Sequence, residues 1–237
     1  MSDVEKVNHW KPIVGIFDKR NPLLSIKQAG QYLPSYPNYD IHKHIAKRID
    51  KMRESDMKQK IAAVPGLTES GAVAIWVYTL DGPLYRDLNG RLRGQDWEYL
   101  KNHYHPFIRI LLTAMKCLQN TQHTHKLYRG VNCDVVGMAT NKNMYDCGNN
   151  FVWWSFSSTT TNVESVKHFL GGEGMQTIFH ITSSKGANVS DFSVFGSDEG
   201  EFLLAPGTVL KSKGVMKSGN VTIIECEDDE SALQLIF

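Results

Sequence analysis

Along the first half of the chain apolar residues return at every third or fourth position. Ile41, Ile45, Ile49, Met52 and Ile61 mark one such stripe, the spacing of a single helix face, and Pro65-Gly66 ends it. Thr68 then stands where an N-cap belongs, just before the run "GAVAIWVYTL", so a second helix is expected from there. Asp81-Gly82-Pro83 reads as a turn. The segment "DWEYLKNHYHPFIRILLTAMKCLQ" supplies one or two further helices, with Ile108, Leu111, Leu112, Met115 and Leu118 on the apolar face. Pro106 either kinks this pattern or opens a second helix in its first turn.

From Leu127 onward the period changes to two. "KLYRGVN", "FVWWSFSST", "GMQTIFHIT", "EGEFLLAP", "TVLKSKGVM" and "VTIIECE" are short, rich in β-formers and separated by Gly, Asn, Ser and Pro, which predicts strands. One helix interrupts them, "NVESVKHFL", with Asn162 as N-cap and the glycines of "GGEG" at 171 to 174 as its end. The acidic tail from Glu227 to Glu230 reads as a solvated turn. Helices first and strands after predict an α+β fold. A single domain is expected over 1–237, with an N-terminal helical lobe (1–125) and a mostly antiparallel β core (126–237).

Composition narrows the function classes. The 237 residues are 41% hydrophobic and 22% charged, ordinary for a soluble globular chain. Lys and Arg total 26 against 25 acidic residues, a formal net charge of +1, so no nucleic-acid partner is implied. The densest basic segment, Lys43 to Lys60, is interrupted by Asp50, Glu54 and Asp56. No run approaches the roughly 20 apolar residues needed to cross a bilayer, and no membrane partner is expected. The polar start "MSDVEKVNHWKP" lacks the pattern of a secretory leader, which predicts a cytoplasmic location.

Metal chemistry finds little support. Cys117, Cys133, Cys147 and Cys226 form no CxxC pair, so reduced thiols are expected. The pairs His42/His44, His103/His105 and His123/His125 are spaced by two, and such positions do not face each other on a helix. Phosphate-loop, dinucleotide-loop and nucleophile-elbow motifs are missing from the sequence. What stands out is "SDEGEFLLAPGT", where Glu199 and Glu201 open an apolar strand. Residues two apart on a strand point the same way, and neighbouring like charges disfavour each other's ionisation. On this stretch alone, a solvated strand end accounts for the pair better than a site does.

Three pieces in order, "LYRG", "FSSTT" and "EGE", resemble the arginine, serine, glutamate class of mono-ADP-ribosyltransferases. Upstream, "LTESGAVAIWVYTLDGPLYRDLNGRLR" is similar to the family's helical stretch, with its Tyr-Thr pair and Asn-x-x-Leu-Arg ending. The resemblance covers about residues 60 to 237. It implies a β-sandwich core that binds NAD as cosubstrate without a metal, an acceptor protein as partner, and a monomer. Arg129 matches the arginine that contacts the dinucleotide phosphates and ribose, and Gly130 the position whose backbone reads the nicotinamide amide. Ser158 matches the first serine of the family's Ser-Thr-Ser segment, followed by Thr159, with threonine replacing the last serine. Ser157 remains an alternative, because a strand with four hydroxyl residues permits a shift of one.

Phe169 matches an aromatic that stacks on nicotinamide, although a core position on an amphipathic helix explains it equally. "DFSVFGSD" resembles the substrate-recognition loop, with Phe195 in the aromatic place. Glu199 and Glu201 match the Glu-x-Glu pair. The resemblance assigns Glu201 to stabilising charge on the ribose, Ser158 to holding that carboxylate, and Arg129 to pinning the phosphates. Glu199 would pair with an acceptor guanidinium and take its proton. The implied activity is protein-arginine mono-ADP-ribosyl transfer, with NAD hydrolysis when no acceptor is present.

Overall fold

Residues 22–53, 56–141, 143–170, 174–196 and 200–229 are described by a computed structural model; the side chains of Arg53 and of residues 167–169 lie outside it. After the short α1 (Ile26–Gly30), the first apolar stripe forms two helices, α2 (Ile41–Arg53) and α3 (Met57–Ala62). Ile41, Ile45, Ile49 and Met52 are buried, as their spacing requires. Helix α4 (Glu69–Thr79) starts where expected: the Thr68 hydroxyl accepts the Gly71 N–H at 3.0 Å. Gly71 to Ile75 and Val77 to Thr79 are all buried, so α4 runs enclosed through the lobe, the fate of a helix with no polar face.

Helix α5 (Pro83–Gly94) follows the turn and closes at Gln95, whose φ is 56°. Of the two options for Pro106, the second is realised: it stands in the first turn of a helix. The short α6 (Trp97–Tyr99) passes through a π turn over Leu100–Tyr104 into α7 (His105–Leu118), with Pro106 in the first turn of α7.

The strands are β1 (His125–Val131), β2 (Asn150–Trp153), β3 (Ser157–Thr160), β4 (Gln176–Ser183), β5 (Ala187–Asn188), β6 (Glu201–Leu204), β7 (Thr208–Ser218) and β8 (Val221–Asp228). They form one sheet in the order β2-β7-β8-β4-β1-β3-β6-β5. Its pairs are antiparallel except β4 with β8. Helices α8 (Val135–Met138) and α9 (Val163–Phe169) interrupt the strand run. Asn162 caps α9, its side chain accepting from the Glu164 N–H at 3.0 Å.

The sheet folds over on itself. Phe151 of β2 and Leu210 of β7 share one core with Phe202 and Leu204 of β6, which lie near the other end of the strand order. Leu203 and Ala205 alternate to the opposite side and join the helical-lobe core with Phe156, Val189 and Phe192. Strand β6 is buried on both faces for that reason, and it carries Glu201 into the seam between the two cores.

Two sequence expectations need correction. "FVWWSFSST" is two strands, because its aromatics serve different cores. Phe151 and Trp153 pack in the sheet core, whereas Trp154 and Phe156 pack in the helical lobe, and the chain breaks between them. The acidic tail is no solvated turn over its described part, since β8 continues through Asp228. Asp228 accepts from the Ser183 hydroxyl and the Ser184 N–H, both at 2.8 Å, and Asn150 donates to Asp229 at 2.6 Å. Those carboxylates tie the ends of β4 and β2; Glu230 lies outside the described residues. All four cysteines are free thiols, and no described helix is long and apolar enough to cross a membrane.

Candidate active site

Strands β1, β3 and β6 lie side by side, and their register sets the site. Tyr128 pairs with Thr160, and Thr160 pairs with Glu201. Residues directly opposite one another share a face of the sheet, so the three form a row. Ser158 and Gly130, each two residues from that row, point to the same face. This face is turned toward α4 and α5. Together they enclose a cleft of about 280 Å³ lined by Tyr78, Asp81, Tyr85, Tyr128, Arg129, Gly130, Phe156, Ser158, Thr160, Val166, Phe195 and Glu201.

Arg129 begins from the opposite face, paired with Phe179 in the sheet core. Its guanidinium lies 5.8 Å from the Trp153 ring centroid, and Nη1 donates to the Ser158 carbonyl at 2.6 Å. Burial lowers its pKa, opposed by Tyr78 and Tyr85 and reinforced by Arg93; a guanidinium nevertheless keeps its proton in a folded protein. The cleft therefore holds a fixed, partly desolvated positive charge. Glu201 is only 5% exposed, and its carbonyl accepts from Val189 N–H at 3.0 Å and the Ser190 hydroxyl at 3.2 Å. The glutamate backbone is thus held from both sides, by β3 and by the chain after β5.

Gly200 makes this strand entry possible. Its φ is 53°, and a Cβ there would run into the Thr161 hydroxyl. The Thr161 N–H in turn donates to the Gly200 carbonyl at 3.1 Å. Gly130 is small for a packing reason: a Cβ would stand 2.9 Å from Val166 of α9. The helix can lie against β1 only because that side chain is missing.

The helical lobe supplies the opposite wall. Tyr78 is 2% exposed, and its hydroxyl accepts from Asn89 Nδ2 at 2.8 Å. Burial raises its pKa, keeping the phenol neutral. Its ring packs at 5.2 Å from Phe156 and edge-on to Tyr85 at 6.1 Å. Sequence reading grouped Tyr78 and Asn89 in one helical stretch but gave them no task. The available signal was a buried-type helix carrying polar atoms that need partners.

Of the residues singled out in the sequence, Arg129, Gly130, Ser158, Thr159, Phe195 and Glu201 meet at this cleft. Phe195 stands at its rim, 43% exposed. The Thr159 hydroxyl is directed away, donating to the Phe202 carbonyl at 2.9 Å. Ser157 points to the far side of β3, buried, with its hydroxyl toward the Ser155 carbonyl at 3.3 Å. Glu199 and the side chain of Phe169 lie outside the described residues. Among the described residues no three His, Cys, Asp or Glu side chains converge as a metal site requires.

Comparison with known proteins bears on this geometry. The model of one family, described as NAD:arginine ADP-ribosyltransferase, matches residues 34–231. A search of curated proteins finds no match. Among solved structures, the ADP-ribosyltransferase HopU1 of Pseudomonas syringae superposes with a TM-score of 0.65 at 20% identity, covering 86% of this chain and 95% of its own. The eukaryotic mono-ADP-ribosyltransferase ART2.2 gives 0.62 at 19% identity, covering 88% and 85%. Vis, from Vibrio splendidus, crystallised with agmatine, gives 0.58 at 20% identity, covering 86% and 91%. Likeness at this level of identity concerns the fold.

Proposed function

Because the chain belongs to the NAD:arginine ADP-ribosyltransferase family, we propose that it transfers ADP-ribose from NAD to arginine side chains of an acceptor protein and releases nicotinamide. The observation that carries this reading is the meeting of Arg129, Ser158 and Glu201 on one cleft from three adjacent strands. The residues suit the dinucleotide. A guanidinium fork matches phosphate oxygens, a buried carboxylate matches ribose hydroxyls, and aromatic faces of Tyr78, Tyr85 and Tyr128 match a flat ring. The enclosed volume is at the low end of the roughly 300–1,000 Å³ usual for ligand sites. It fits the nicotinamide riboside end, leaving the remainder along the cleft mouth.

In the reaction the ribose–nicotinamide bond breaks with its electrons leaving on nicotinamide, and positive charge develops on the ribose. Glu201, held within the strand seam, stabilises that charge as a preorganised carboxylate. Ser158 orients the carboxylate, and Arg129 fixes the phosphates so that the bond is presented to it. An arginine acceptor arrives protonated and is a poor nucleophile. Glu199 takes its proton as the guanidino nitrogen bonds to the ribose. The neutral Tyr78 phenol, tethered by Asn89, packs the cleft wall against which the ring end rests.

Incubation with NAD and agmatine tests this reading. The expected result is nicotinamide release matched mole for mole by ADP-ribosyl-agmatine at saturating acceptor. Free ADP-ribose as the main product, whatever the agmatine concentration, would identify water as the natural acceptor and overturn the arginine assignment.

A further inference from the structure

The chain from Val189 to Gly196 leads from β5 to the cleft rim and delivers Phe195 there. It is anchored on the helical lobe. Val189 and Phe192 are buried in that lobe's core, and Asp191 pairs with Lys60 of α3 at 2.9 Å. The last tie from this segment to the helical lobe among the described residues is a hydrogen bond from the Val194 N–H to the Thr79 hydroxyl at 3.0 Å, while the Phe195 N–H turns back onto the Ser193 hydroxyl at 3.2 Å. Thr79 commits its own proton to the Trp76 carbonyl at 3.1 Å, so its oxygen is left as an acceptor facing the loop. The hydroxyl is 8% exposed with its residue, which shields the bond from competing water. Tyr78, one residue earlier, stands in the cleft wall. Thr79 lines the cleft as well, so the end of α4 serves the cleft with both side chains and holds the loop with the second.

We propose that Thr79 is a positioning residue for acceptor choice: its hydroxyl sets where Phe195 stands, and so whether an incoming guanidinium is directed to the ribose. The inference rests on the arginine reading above. Because Thr79 also lines the cleft, its hold on the loop is isolated at the other end of the bond, Val194, which does not line it.

The test removes the bond from each end and reads transfer to agmatine and NAD hydrolysis in parallel. Thr79→Val keeps the shape and deletes the acceptor. Val194→Pro deletes the donor at a position 40% exposed, where the preceding Ser193 already has the extended geometry (φ −79°, ψ 168°) that proline requires of its neighbour. Each change is expected to lower the ratio of transfer to hydrolysis about tenfold, the effect of one lost hydrogen bond, and in Val194→Pro, which leaves the cleft lining intact, hydrolysis stays within about twofold. The double variant is expected to lose no more than either single one, as for two ends of one contact. Thr79→Ser is expected to restore the ratio.

An unchanged ratio in Val194→Pro overturns the inference, even where Thr79→Val fails to fold. Multiplying losses in the double variant overturn it as well. A wild-type chain that forms no agmatine adduct overturns this inference together with the arginine reading, whereas a preserved ratio in the variants overturns this inference alone.

Discussion

Ser157 and Ser158 are chain neighbours on opposite sides of β3, one sealed beside Leu204 and the other opening on the cleft beside Leu203. Their substitution separates packing from chemistry. Ser158→Ala is expected to lower nicotinamide release by about tenfold to a hundredfold, the effect of one hydrogen bond to a charged group. Ser157→Ala is expected to stay within about threefold, less than one kcal/mol on the rate scale. Initial rates at saturating NAD decide it, and the reverse order would move the motif by one residue. Arg129, Ser158 and Glu201 were legible in the sequence because short motifs name side chains directly. The serine register was not, since the five hydroxyl residues in a row from Ser157 to Thr161 look alike until a neighbouring strand fixes which of them face the helices. Tyr78 and Asn89 were hidden for another reason: their bond spans two helices, and periodicity carries no information about it.

At the scale of elements, caps and breaks were the readable part. Thr68 and Asn162 start helices as their side chains allow, and the change of period near residue 125 marks the change from helix to sheet. Strand partners were not readable, because alternation says that one face is buried and not against what. That is why "FVWWSFSST" divides between two cores and why Asp228 and Asp229 close strand ends. The turn into β6 gives a test at this scale. Gly200→Ala forces a left-handed backbone on a residue with a side chain and drives it against Thr161. A loss of about 1–3 kcal/mol in denaturant unfolding is expected, the usual range for such strain, with a drop in nicotinamide release. Wild-type stability and activity together would contradict the geometry given for the entry to β6.

The whole molecule is a helical lobe and a folded-over sheet whose two cores share β6. Its cleft lies on that seam, so each side supplies one wall: Tyr78, Tyr85 and, from the turn between their helices, Asp81 on one side, and Arg129, Ser158 and Glu201 from the strands on the other. On the function proposed above, this division puts cleavage of the bond in NAD on the sheet side and acceptor choice at the rim, where Phe195 stands. The central claim is that the two glutamates of "EGE" have separate tasks, and one measurement reaches it directly. Nicotinamide release and agmatine ADP-ribosylation are followed side by side in Glu201→Gln and Glu199→Gln. Glu201→Gln is expected to abolish both activities, because the charge facing the ribose is gone whichever acceptor waits. Glu199→Gln is expected to lower transfer by roughly 10²–10⁴-fold, as for removal of a general base, while NAD hydrolysis continues. Loss of hydrolysis in Glu199→Gln as complete as in Glu201→Gln, or full activity in either variant, would contradict the account.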